Sequence, residues 1–240
     1  MAPSRSLHSL RPAAALLVMV SALALAGCQQ KSAGFGSLDP MNTASTGPAS
    51  FRGTAELGKA WQADPGNINK GVAYAKGLES IGQADKQLEV LAQLNQANPN
   101  NMQVAALYGK KLVASGKSSE ALPVLENVAA SKDADWRVHS ALGSAYDQQG
   151  LYEKARDAYR RALALDANNL SVLNNLGMSF ALEGNLREAE TTLRQANALP
   201  RARTEPRLRQ NLALVVGLQG RFEEASKIAS EDLPVEQVEA

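Results

Sequence analysis

The chain has 240 residues, 45% of them apolar, with 25 basic and 24 acidic side chains, two histidines and a single cysteine. A balance this close to neutral gives no sequence-independent pull on nucleic acid or on an anionic membrane surface. One cysteine excludes a disulfide framework and a thiolate metal cluster within the chain.

The first predicted element is an export signal, with Arg5 and Arg11 as a basic start, an apolar run from Ala13 to Ala26, and small residues at its end. The run stops at Gln29, Gln30 and Lys31, short of the roughly 20 apolar residues a membrane-spanning helix needs. It closes on Leu25-Ala26-Gly27-Cys28, which resembles the lipobox of bacterial lipoproteins. That resemblance implies cleavage before Cys28, a diacylglycerol on its thiol and an acylated new amine. Each buried methylene of such a lipid adds about 0.8 kcal/mol, and more than one chain gives stable anchoring. Gln29 stands where lipoproteins retained at the inner membrane usually carry Asp. The resemblance therefore implies an outer-membrane lipoprotein, facing the periplasm and anchored at Cys28. Loss of residues 1–27 removes Arg5, Arg11 and His8 and leaves 23 basic against 24 acidic side chains.

Residues 28–50 are rich in Gly, Ser, Thr, Pro and Ala and read as a flexible tether. Residues 51–67 follow as an N-terminal capping helix, with Leu57 and Trp61 on an apolar face.

From there the chain aligns with itself at a shift of 34 residues. Gly82, Gly116, Gly150 and Gly184 fall at that interval, and so do Gly109, Gly143 and Gly177. Ala121, Ala155 and Ala189 repeat it, as do Leu112, Tyr146 and Phe180, and Leu57, Leu91, Leu125, Tyr159 and Leu193. A helix–turn–helix unit of this period resembles the tetratricopeptide repeat. The resemblance implies an all-α fold, a right-handed superhelical solenoid of antiparallel helix pairs. The predicted repeats are 68–101, 102–135, 136–169, 170–203 and, after a longer connection from Pro200 to Arg207, 206–239.

Each column has a physical role. Gly143 and Gly177 sit inside first helices, where glycine costs about 1 kcal/mol relative to alanine, so close approach of the paired helix is expected there. Tyr146, Phe180 and Tyr159 are expected to fill the space between successive units. Gly116, Gly150 and Gly184 lie between the helices, where the left-handed conformation ends the first of them.

Catalytic chemistry is sparse. His139 is the histidine that remains after the signal, at a repeat position suited to packing. The chain has no HExxH or CxxC spacing and no P-loop-like glycine run. Glu223-Glu224 and the Glu188/Glu190 pair read as solvated faces. The expectation is a non-enzyme without cofactor or metal.

Solenoids of this kind bind partners on the concave face lined by first helices. In the family the second, fifth, ninth and twelfth repeat positions face that groove. Here they include Lys76, Glu79, Lys110, Arg137, Ser140, Ser144, Asp147, Asn174, Met178, Arg207, Gln210 and Leu214. Basic and hydroxyl groups dominate one end, while Met178, Ala181, Leu214 and Leu218 give apolar area at the other. Such a groove suits an extended or helical segment of another protein. A carboxylate clamp of the kind some relatives carry is not expected, because Ser140, Ser144 and Asn211 replace three of its residues although Asn175 and Arg207 match.

The last repeat carries a narrower resemblance. The run from Arg209 to Ala225, followed by Ile228-Ala229 and Asp232-Leu233-Pro234, is similar to the TadD lipoproteins of the tight-adherence (Flp pilus) secretion system. They share the order of lipobox, short tether, repeat array and this C-terminal string. In that family one more amphipathic helix usually follows the Asp-Leu-Pro turn, of which Val235 to Ala240 would be the start. The resemblance implies a pilotin-like assembly role towards the secretin or another pilus component, with no nucleic acid involved. The alternative is a general envelope scaffold for outer-membrane protein assembly or recruitment of cell-wall enzymes.

Overall fold

The computed structural model describes residues 51–230. The signal, Cys28 and tether expected over residues 1–50, and the final Asp-Leu-Pro turn, lie outside the described residues. The described chain is all-helical. After α1 (Phe51–Gln62) come α2 (Ile68–Ser80), α3 (Ala84–Ala97), α4 (Met102–Ala114), α5 (Ser118–Ala129) and α6 (Trp136–Gln148). They are followed by α7 (Tyr152–Leu165), α8 (Leu170–Glu183), α9 (Leu186–Asn197), a 3-10 helix (Pro200–Thr204), α10 (Pro206–Leu218) and α11 (Phe222–Ser230). Each helix packs on its neighbour in sequence, and α4, α6, α8 and α10 also touch in succession. The result is a solenoid of antiparallel pairs in which the even-numbered helices form one layer. None of the described helices is long and apolar enough to cross a membrane.

The starts of the even-numbered helices are set by side-chain caps. Asn67, Asn101, Asp135 and Asn169 accept the backbone N–H of Lys70, Val104, Val138 and Val172, which satisfies a donor left over at a helix N-terminus. α10 has no such cap and begins on Pro206, preset for the first helical position. The connection before it is itself wound into the 3-10 helix. Buried Arg209 pins that helix by donating to the carbonyls of Ala202 at 2.9 Å and Arg203 at 3.3 Å.

The ends of these helices follow one pattern. Gly82, Gly116, Gly150, Gly184 and Gly220 all have positive φ. The N–H after each glycine reaches back five residues: Gln83 to Leu78, Lys117 to Leu112, Leu151 to Tyr146, Asn185 to Phe180 and Arg221 to Val216. This is the Schellman closure.

The core lies between the two helix layers. Leu91, Leu125, Tyr159 and Leu193 are fully buried on odd-numbered helices, beside fully buried Ala121, Ala155 and Ala189. They meet the helical glycines directly: a Cβ on Gly109, Gly143 or Gly177 would stand 2.7, 2.6 or 2.7 Å from Leu125, Tyr159 or Leu193. Trp61 is buried and donates its indole N–H to the Pro65 carbonyl. Leu57, expected on the same apolar face, is 37% exposed and turns its Cδ1 towards Gly77 of α2. Tyr146 and Phe180 are only partly buried, unlike Tyr159. Tyr146 donates its hydroxyl to Glu126 of the preceding pair, and the guanidinium of buried Arg156 sits 4.9 Å from the Phe180 ring centroid.

Candidate functional site

Helical spacing puts residues three to four apart on one face, so each even-numbered helix carries the expected groove positions as one row. Lys76 on α2 is exposed, and Lys110 on α4 is half-buried, where desolvation lowers its pKa and outweighs nearby Asp135. Arg137 heads α6, its guanidinium 3.2 Å from Asp135 and 4.6 Å from the centroid of the Trp136 ring. Ser140 is buried, its side chain withdrawn from the surface. Arg207, Gln210 and Leu214 on α10 are exposed.

Ser144 and Asp147 belong to a polar network on the floor between α6 and α8. Tyr159 donates to Asp147 Oδ2 at 2.8 Å and Ser179 donates to Oδ1 at 2.6 Å, so both carboxylate oxygens are engaged. Ser144 Oγ lies 3.1 Å from the Tyr159 hydroxyl. Burial raises the Asp147 pKa despite these hydrogen bonds. Burial, and then the Asp147 charge, push the Tyr159 phenol further up. The network joins three successive helices, and Tyr159 and Ser179 are its fully buried members. Further along, Asn211 on α10 donates to Asn174 on α8 at 2.8 Å. The structure thus brings Ser144 and Asp147 together and ties Asn174 to α10, while Lys76 on α2 stands far along the array from Arg207 on α10. The contacts of Ser179 and Asn211 are not predicted from the sequence, because their partners lie 32 and 37 residues away.

The even-numbered helices change character along the stack. The ninth and thirteenth repeat positions run Lys76/Ser80, Lys110/Ala114, Ser144/Gln148, Met178/Leu182 and Leu214/Leu218. Cationic and polar pairs give way to two apolar ones, of which Leu182, Leu214 and Leu218 are 57%, 50% and 59% exposed.

The acidic residues of the odd-numbered helices correct one expectation. Glu190 is not a solvated side chain: 13% exposed, it accepts from Arg194, Arg221 and Gln219. Arg194 and Arg221 also pair with Glu224 on α11. The alternating ring of two arginines and two glutamates holds the Glu190 carboxyl at about 2, chiefly through the Arg221 hydrogen bond. His139 is buried, and desolvation lowers its pKa. Among the described residues, no three His, Cys, Asp or Glu side chains converge as a metal site.

Residues 109–170 match the tetratricopeptide-repeat family. Curated proteins provide no match to the chain. Among solved structures, MamA from strain AMB-1 shares 26% identity over 63% of this chain and 89% of its own, with a TM-score of 0.57. PilW, a widely conserved type IV pilus biogenesis factor, shares 18% identity over 77% of this chain and 86% of its own, with a TM-score of 0.63. YrrB, a tetratricopeptide protein with an unusual peptide-binding site, shares 16% identity over 74% and 91%, with a TM-score of 0.53. Fold and repeat match together make this a tetratricopeptide-type solenoid, an architecture generally used as a non-catalytic protein-interaction scaffold.

Proposed function

We propose that the protein is a non-catalytic scaffold held at the outer membrane by lipid on Cys28, and that it serves assembly of the tight-adherence (Flp) pilus apparatus, pilotin-like towards the secretin. The observation that carries this reading is the face of the even-numbered helices, with Lys76, Glu79 and Lys110 at one end and exposed Leu182, Leu214 and Leu218 at the other, on an array whose interior is committed to packing. The lipid supplies location and the groove a protein segment, so tethering raises the effective concentration of the pair. Two further features support the reading. The sequence from Arg209 to Pro234 is similar to TadD lipoproteins, and a pilus biogenesis factor shares the fold. The alternative is a general envelope scaffold that recruits outer-membrane assembly factors or cell-wall enzymes.

The test is affinity capture from the native envelope with the wild-type chain, Cys28→Ser, and the double variant Arg137→Glu/Asn174→Glu. Recovery of a secretin by the wild type, its loss in the groove variant and its mislocalisation in Cys28→Ser are the expected results. Recovery of cell-wall enzymes or an outer-membrane assembly complex instead selects the alternative.

A further inference from the structure

The apolar end of the concave face carries more exposed hydrocarbon than any other part of the even-numbered layer. Met178 and Leu182 are one turn apart on α8, and Leu214 and Leu218 are one turn apart on α10. The Asn211–Asn174 hydrogen bond ties the two helices together one turn before these pairs, and helical spacing carries both pairs along the faces that continue from it. Met178 also packs against the core beneath, which gives the patch a rigid floor. An exposed apolar patch rimmed by polar groups marks a docking surface.

The rim indicates which chemistry docks there. At the N-terminal edge of α10 stand Arg201, Arg203 and Arg207, all exposed, with Glu205 the sole acid between residues 199 and 210. The N-termini of α8 and α10 point to the same edge and add the positive ends of their helix dipoles. On the opposite edge, beyond Leu182 and Leu218, the turns present Glu183-Gly184-Asn185, with Glu183 paired to Arg156 at 2.8 Å, and Gln219-Gly220. The surface is therefore apolar in the middle and cationic on one side.

We propose that Met178, Leu182, Leu214 and Leu218 dock the apolar face of an amphipathic protein segment whose acidic flank lies along Arg201, Arg203 and Arg207. This rests on the reading of the concave face as the protein-binding surface and names the segment that its C-terminal half selects. Apolar anchors supply most of the affinity at such a site, and the charged rim supplies orientation and discrimination.

The experiment uses the whole chain and a labelled peptide with leucines at i, i+3, i+4 and i+7 and glutamates along one flank. Two controls accompany it, one with lysines for the glutamates and one with the same residues scrambled. Fluorescence anisotropy is expected to show binding of the glutamate peptide over both controls. Leu214→Asp and Leu218→Asp, with unchanged circular dichroism, are expected to weaken it by about tenfold or more, the scale of one lost anchor. Arg207→Glu is expected to shift the preference towards the lysine peptide.

Equal binding of the lysine and glutamate peptides overturns the proposal, as does an unchanged Kd in the leucine variants. Sedimentation showing a wild-type dimer that Leu214→Asp dissociates makes a second copy the occupant and also overturns it. A secretin captured from the envelope equally by wild type and Leu214→Asp overturns the docking patch and leaves the scaffold reading standing. The expected peptide pattern without any pilus component in the envelope capture sustains the patch and sinks the pilus reading.

Discussion

The ring of Tyr159 fills the space that a side chain at Gly143 would need, with Cε1 at 2.6 Å from a Cβ placed there. The ring is 1% exposed, and its hydroxyl is bonded to Asp147 and close to Ser144, so it has no direction in which to yield. Gly143→Ala gains about 1 kcal/mol of helix propensity and loses about 1–3 kcal/mol to overpacking. The net expectation is destabilisation. Gly217→Ala meets only the Ala225 Cβ at 3.6 Å, an ordinary contact. It is expected to stabilise the chain by up to about 1 kcal/mol. Urea unfolding of the two variants side by side checks the pair, and equal effects would contradict this packing account.

Asp147 provides a test with the opposite pH dependence from an ordinary surface carboxylate. Its pKa is raised above 3.8 in the folded chain, so folding binds its proton more tightly than the unfolded chain does. The stabilisation is present below that value and is lost as pH rises through the folded pKa. Relative to wild type, Asp147→Asn is expected to improve as pH rises to neutrality. Asp147→Ala leaves the buried Ser179 hydroxyl without its acceptor and is expected to cost about 1–3 kcal/mol. Chemical denaturation across acidic to neutral pH measures both.

Glu190 titrates in the other sense. Its carboxyl falls from 4.5 to about 2 on folding, so its contribution is full above 4.5 and disappears as pH drops towards 2. Glu190→Gln is expected to abolish that acid-dependent loss and to speed amide hydrogen exchange in α11, which has no fully buried residue of its own. Exchange in α11 indifferent both to the substitution and to added salt would show that the ring does not hold the helix.

Arg209 predicts a change in proteolysis. Arg209→Met keeps the bulk and deletes the donors to Ala202 and Arg203, at a cost of about 2–3 kcal/mol for lost charge-assisted bonds. Trypsin is expected to cut the variant after Arg201 and Arg203 faster than the wild type. An unaltered cleavage rate would mean that the 3-10 helix holds without the guanidinium.

The fold class was legible because two of its columns are the two sides of one contact: Gly109, Gly143 and Gly177 face Leu125, Tyr159 and Leu193. A further column at the same interval, Asn67, Asn101, Asp135 and Asn169, marked the helix starts and went unread. Short polar residues are common in turns, and their capping role shows only when the N–H of the third residue is placed. The Asp147 network and the glutamate–arginine ring were invisible for a different reason. They join residues on different helix pairs, where hydrogen bonds depend on the angle between units rather than on the period. The same holds for Arg209, which reads as one letter of a C-terminal string until the 3-10 helix is seen beneath its guanidinium.

The five Schellman closures have a kinetic consequence. A Cβ on any of these turn glycines would meet nothing within 4 Å, so it is their positive φ, and not crowding, that calls for glycine. Each hairpin closes on hydrogen bonds spanning five residues. Contacts therefore stay close along the chain, which favours fast folding. Nucleation can begin at any pair and spread to its neighbours, and removal of an end pair shortens the array without dissolving the rest.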